Sequence, residues 1–340
     1  MINVNHSKER FSGYGIAGGN IYNIVKSGFK NVSSNKNLSR GINIFVSIPP
    51  FKINKGSYNI GFFYWETIGF PDSWVSEILK LDEFWSSCDL ITKNLKMIGF
   101  KGKIVNMPTP IEKRYSFEKT IFGDAKGEVV GDDSFKFYSI FHWNYRKGYD
   151  VLIKAYLSEF SDEDVCLIVK THNKKKSVLK HFSEIVSREK KALGKANYPK
   201  IFFTEGIMDY SDILRIHSSC DCFVLPHRGE GWGIPMHEAI SNCNPVIATK
   251  FGGITDYFDS SNSYVVDHKM IKSKNMNWTN LYDDRMWAEP SCPSLMREMR
   301  SAFENEEMFR SKQVLSKVLS DKISYENISK KIQKRIRELQ

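Results

Sequence analysis

Two glutamates eight positions apart, Glu230 and Glu238, bracket a glycine-studded loop within PHRGEGWGIPMHEAISNCNPVIATKFGG, residues 226–253. The apolar run CFVLP, residues 222–226, leads into the loop as a strand. Gly229, Gly231 and Gly233 allow close backbone approach and positive φ. A helix beginning near Glu238 follows, then a strand over 245–248 and a Gly-Gly turn. The free N–H groups at a helix start make a seat for phosphate. Carboxylates repel phosphate, so the partners of this pair are neutral hydroxyls, such as those of a ribose and a second sugar. The arrangement reads as a nucleotide-sugar site.

The run EGWGIPMHEA, with PVIAT and GG downstream, resembles the retaining glycosyltransferases of family 4, whose signature is Glu, seven residues, Glu. The resemblance implies the GT-B fold: two Rossmann-like, doubly wound parallel-sheet domains facing a cleft, with a C-terminal helix crossing back to the first domain. It implies that Glu230 contacts hydroxyls of the transferred sugar and that Glu238 holds the ribose. Backbone groups of Gly231, Trp232, Gly233 and Ile234 would meet the donor's diphosphate and sugar. HWNYRKGYDVLIKAY, from His142, resembles the family's phosphate-binding region, with Lys147 at the position of its lysine. A fixed cation there would stabilise charge developing on the leaving diphosphate. The family's arginine, five or six positions earlier, is replaced by His142 or Phe141, and the adjacent Arg146 is the candidate substitute. Gly13, Gly15, Gly18 and Gly19 resemble the glycine-rich turn facing the donor phosphates, with Gly15 the first choice. Glu66, after a strand in YWETIGFP, is placed to orient the acceptor hydroxyl or accept its proton. His227 is close enough to Glu230 in sequence to line the pocket. No cofactor beyond a nucleoside-diphosphate sugar is implied, and no metal.

Other chemistry is less well marked. Asp162, Glu163 and Asp164 form an acidic triplet before a strand, far in sequence from the glycine loop; a solvated turn accounts for it. His142, His172 and His227 lack metal-ligand spacing, and the six cysteines contain no CxxC pair. Apolar surroundings suit reduced thiols and a cytosolic location. Residues 1–60 carry eight Lys or Arg against Glu9 alone, and residues 311–340 carry eight against three acids. If the last helix returns to the first domain, these ends merge into one basic region. Such a region suits an anionic acceptor, an acidic membrane surface to which the protein is peripheral, or nucleic acid. Two alternatives to glycan or glycolipid synthesis follow: a glycosyltransferase acting on nucleic-acid bases, and a non-catalytic nucleotide-binding scaffold. Oligomeric state is not legible.

The positioning elements read as two α/β units, at 1–125 and 135–310, with a linker at 126–134 and a returning helical segment at 311–340. In the first, strands are expected over 1–4, 41–48, 58–65, 90–92 and 103–106, with an amphipathic helix over 73–86. In the second, strands over 136–141, 165–170 and 201–204 alternate with helices over 148–160, 178–186 and 211–219, the rhythm of a parallel sheet. Helices are also expected over 295–303 and 312–339. Ligands of such sheets lie off the carboxyl ends of the strands.

Overall fold

The computed structural model describes residues 1–9, 12–111, 120, 122, 133–172, 177–273 and 280–340. The first lobe runs β1 (Ile2–His6), α1 (Gly13–Gly28), β2 (Val32–Ser34), β3 (Gly41–Val46), β4 (Ser57–Phe62), α2 (Asp72–Ile78), β5 (Glu83–Ser86), α3 (Asp89–Met97) and β6 (Lys103–Asn106). Its strands pair in the order β2-β1-β3-β4-β5-β6, all parallel. Ile42, Ile44, Val46, Ile60 and Phe62 are buried, as continuous apolar strands are when helices or the other lobe cover both faces.

The second lobe continues with β7 (Phe135–His142), α4 (Tyr149–Glu159), β8 (Val165–His172), α5 (Leu179–Leu193), β9 (Lys200–Glu205), α6 (Tyr210–Ser219), β10 (Cys222–Leu225), α7 (Ile234–Ser241), β11 (Val246–Thr249) and β12 (Tyr264–Val266). These strands form a second parallel sheet, ordered β12-β11-β10-β7-β8-β9. An antiparallel hairpin follows, β13 (His268–Lys272) and β14 (Met286–Pro290), then α8 (Cys292–Glu304), α9 (Glu306–Lys322) and α10 (Tyr325–Arg337). Both lobes are α/β and Rossmann-like. The expected linker at 126–134, save residues 133 and 134, lies outside the described residues.

Several sequence expectations change. The glycines at 13, 15, 18 and 19 lie inside α1, not in a loop, because Ser12 caps the helix: its hydroxyl accepts from the Gly15 amide at 3.0 Å. The helix expected over 73–86 ends at Ile78, and Trp85 lies in β5, bonded through its indole N–H to Glu83 at 2.8 Å. Residues 90–92, expected as strand, belong to α3, whose first-turn Asp89 suits a helix start. The helix holding Glu238 begins at Ile234, so Glu238 sits a full turn inside it. The single helix expected over 312–339 is two. Ser324 caps α10 by accepting from Asn327 N, and this breaks the path after Lys322.

Of these two helices, α10 is the one that grips the first lobe. Arg335 grips the buried Glu83 with Nη2 2.6 Å from Oε2, and Gln333 donates to the Ile24 carbonyl of α1 at 3.2 Å. By contrast α9 packs on the second lobe, where Lys312 donates to the Ser260 and Ser263 carbonyls. The β13–β14 hairpin ties the lobes a second time. Ile68 N donates to Met286 O at 3.0 Å, and Tyr282 and Trp287 join the aromatic cluster built on Phe63, Trp65 and Trp74.

Candidate active site

The loop after β10 is fixed by its backbone before any side chain acts. Gly233, with φ of 79°, is the N-cap of α7 and offers no side chain to occupy the first-turn amides. Gly253 N donates to the Glu230 carbonyl at 2.8 Å, and Tyr257 OH donates to the Trp232 carbonyl at 2.6 Å. The Trp232 indole turns inward and donates to His237 Nδ1 at 3.0 Å. Trp232 therefore meets any ligand through its backbone only.

A second short segment, the 3-10 turn Tyr145–Lys147 after β7, stands beside this loop. Arg228 binds the two together. Its guanidinium is wholly buried, forks onto Asp150 and Glu289 at 2.8–2.9 Å, and stacks on the Tyr145 ring at 3.6 Å. Its amide donates to the Arg146 carbonyl at 2.7 Å. Sequence reasoning passes over Arg228; its signal is an arginine inside an otherwise glycine-rich loop.

This scaffold brings Glu230, Lys147, Arg146 and Glu66 into one buried cluster. Lys147 Nζ and Arg146 Nη1 both meet Glu230 Oε1, the latter at 3.4 Å. Arg146 Nη1 also donates to the Gly229 carbonyl, and Nη2 lies 3.3 Å from Glu66 Oε1 in the first lobe. Tyr282 OH, from the hairpin loop, donates to Glu66 Oε2 at 3.0 Å while its ring stacks on Trp65. Burial alone would raise the Glu230 carboxyl, but Lys147 and Arg146 outweigh it and hold it at about 2. Burial also works against Arg146, yet Glu66 and Glu230 raise its pKa. Lys147 is lowered, by burial first and by Arg146 beside it.

His227 lies under the cluster, fully buried, and neither ring nitrogen has a hydrogen-bond partner among the described residues. Burial brings it down to about 3 against the pull of Glu230. Asn144 Oδ1, Arg146 Nε and Thr249 Oγ1 are likewise buried without partners. All follow or end strands β7 and β11, at the carboxyl edge of the second sheet. Unpaired polar groups concentrated at this edge mark where a polar ligand belongs.

Glu238 faces a different set of groups. Tyr210 OH donates to its Oε1 at 2.8 Å, and His217 Nε2 lies 3.7 Å from its Oε2. The two glutamates thus stand among separate sets of groups. Across the gap, a Cβ on Gly13 would lie 3.5 Å from the Ile234 side chain, so the first turn of α1 faces the start of α7. Gly15 lies two residues further on in the same turn, its amide taken by Ser12 and its Cα pressed on the Glu9 carbonyl. The lobes are closed on each other here. A Cβ on Gly231 would come within 2.4 Å of Tyr64 Cβ, and one on Gly229 within 2.3 Å of Glu66 O. The close approach that the loop glycines permit is an approach of the first lobe.

The acidic triplet lies elsewhere. Glu163 binds Arg300 at 2.8 Å and is held at about 2 chiefly by the Ser161 amide. His142 and His172 stack edge to face at the ends of β7 and β8, with centroids 5.1 Å apart.

Residues 124–285 match the family of glycosyl transferases group 1. No curated protein matches the chain. Among solved structures, Anabaena HepE in complex with UDP and glucose superposes with a TM-score of 0.65 at 11% identity, over 99% of each chain. The pneumococcal O-GlcNAc transferase GtfA, in complex with UDP and GlcNAc, gives 0.62 at 15% identity, over 90% of this chain and 58% of that one. Sucrose-phosphate synthase of Thermosynechococcus elongatus gives 0.64 at 12%, over 88% and 73%. The chain therefore spans little more than half of the O-GlcNAc transferase. These likenesses establish the GT-B fold, and with the match over residues 124–285 they support a GT-B glycosyltransferase of group 1.

Proposed function

We propose that this protein transfers a sugar from a uridine diphosphate sugar to a hydroxyl of a sugar acceptor, with retention of configuration. The single observation that carries the reading is the buried cluster of Lys147, Arg146 and Glu230 at the carboxyl edge of the second sheet. Two cations held against one carboxylate and a closed lobe form a preorganised receptor for a diphosphate. The choice of uridine draws on the UDP complexes among the structural neighbours.

In this reading the donor's phosphates take Lys147 and Arg146 away from Glu230, and the freed carboxylate accepts from sugar hydroxyls. Glu238 takes the ribose, and the backbone of Gly231, Trp232, Gly233 and Ile234 lines the diphosphate and sugar. Gly15 supports the facing wall by close packing, since its amide is already bonded. Glu66, pinned between Arg146 and Tyr282, is the group proposed to orient the acceptor hydroxyl. His227 supplies an unpaired ring nitrogen next to the sugar. Charge developing on the departing diphosphate is stabilised by Lys147 and Arg146, and lobe closure excludes water.

No helix among the described residues is long and apolar enough to cross a membrane. Part of the basic charge of the last helix is spent on Glu83, and none of the comparisons supports a nucleic-acid or membrane acceptor. A sugar acceptor met in the cytoplasm is the proposed setting. The test is turnover of UDP-glucose and UDP-GlcNAc, with the product's anomeric configuration read by proton NMR. Glu230→Ala is expected to lower turnover by about 10²-fold or more. An inverted anomer would refute retention, and an unaffected Glu230→Ala rate would refute the site.

A further inference from the structure

We infer that His217, on α6, is a positioning residue that aligns the Glu238 carboxylate for a ribose hydroxyl. The inference rests on the ribose-binding reading of Glu238 given above and adds the group that works through it. His217 is fully buried. The Asn244 Nδ2 amide lies 2.6 Å from the His217 carbonyl, which can only accept, so the amide's NH2 must face it. The same NH2 donates to Tyr138 OH at 2.9 Å. With that lone pair used, the buried phenol sends its own proton to His217 Nδ1, 2.7 Å away. Nδ1 is then an acceptor, and the ring must carry hydrogen on Nε2.

That Nε2–H points at Glu238 Oε2 from 3.7 Å, too far for a hydrogen bond, and has no other partner among the described residues. Tyr210 OH meanwhile donates to Glu238 Oε1, a neutral hydroxyl on a carboxylate, which is the contact a ribose hydroxyl would make. When a nucleotide replaces Tyr210 at Oε1, a small rotation of the carboxylate brings Oε2 onto the waiting Nε2–H. A buried donor without a partner thereby gains one when a ribose hydroxyl takes Oε1.

The experiment is calorimetric titration of UDP, GDP and ADP, and of their 2′,3′-dideoxy forms, into wild-type protein, His217→Gln, His217→Asn and Tyr210→Phe. A glutamine amide can occupy the Nε2 place, whereas asparagine reaches only the Nδ1 place. His217→Gln should keep wild-type affinity for the ribonucleotide, and His217→Asn should bind it about ten-fold more weakly, with the dideoxy form unaffected. Tyr210→Phe, which leaves the buried network intact, should tighten ribonucleotide binding alone. Equal losses for ribo and dideoxy forms in His217→Asn would overturn the inference, as would weaker ribonucleotide binding by Tyr210→Phe. Glu238→Gln separates the two levels: if it and the wild type bind ribo and dideoxy forms alike, the ribose reading itself fails and this inference with it.

Discussion

At the scale of residues, the site is a set of charges that only make sense together. Lys147 and Arg146 are buried cations, and Glu230 and Glu66 are the carboxylates that make their burial tolerable. The histidines around them behave differently, because burial outweighs the pull of Glu230 on His227 and acts unopposed on His237. Burial holds both His227 and His237 down to about 3. Each therefore binds a proton in the unfolded chain, near its ordinary 6.5, that the folded protein refuses. Their contribution is complete above that ordinary value and is lost as pH falls from it towards 3, by about 1.4 kcal/mol per pH unit for each. Urea unfolding at pH 6.0, 5.5 and 5.0 should show this slope, and His237→Leu should remove one histidine's share. A pH-independent stability across that range would contradict the burial of these rings. The paired glutamates and Lys147 were marked in the sequence by the motifs around them and their resemblance to a known family, and the fold brings Lys147 onto Glu230. Arg228 was not, since its importance comes from Asp150 and Glu289, which only the fold brings to it.

At the scale of elements, the loop after β10 and the hairpin β13–β14 control how the lobes meet. Apolar continuity made β1, β3 and β4 of the first sheet and β7 to β11 of the second readable, but not β2, β5 or β12, and apolar periodicity placed most helices of the second lobe. The misreadings have local causes. Glycines at 13, 15, 18 and 19 look like loop, but one serine cap and the packing of α1 on β1 hold them helical. Trp85 fits a helical stripe with Trp74, yet sits in a buried strand. The hairpin was invisible because its apolar residues pack on the other lobe rather than on a periodic face of their own. Its ion pair, Arg285 with the almost fully exposed Asp72, contributes little. Its hold comes from Tyr282 on Trp65 and Glu66. Gly231→Val, which places a branched side chain where Tyr64 already stands, should wedge the lobes apart at this point. Small-angle scattering should report a larger radius of gyration, and sugar transfer should fall while the second lobe stays folded. A variant as closed and as active as wild type would show that the lobes do not meet at Gly231.

At the scale of the whole molecule, the hairpin at the cleft and α10 behind it both join the lobes. The last helix returns to the first lobe as α10, while α9 with Lys312 stays on the second, and Arg335 is spent on a structural pair with Glu83 rather than left to bind an anion. Removing that guanidinium strands a fully buried carboxylate with only Trp85 and Tyr58 as side-chain donors among the described residues. Arg335→Ala should therefore cost about 3 kcal/mol, seen as a lower Tm. A loss below about 0.5 kcal/mol would mean that α10 is not anchored there.

The central claim is that Lys147 and Arg146 form the seat of a nucleoside diphosphate. Titrating UDP, calorimetrically, into wild-type protein and into Lys147→Met tests it most directly. Saturable binding by the wild type is expected, with affinity about 100-fold weaker in the variant. Equal affinity in the two proteins, or no binding of UDP, GDP or ADP by either, would contradict it.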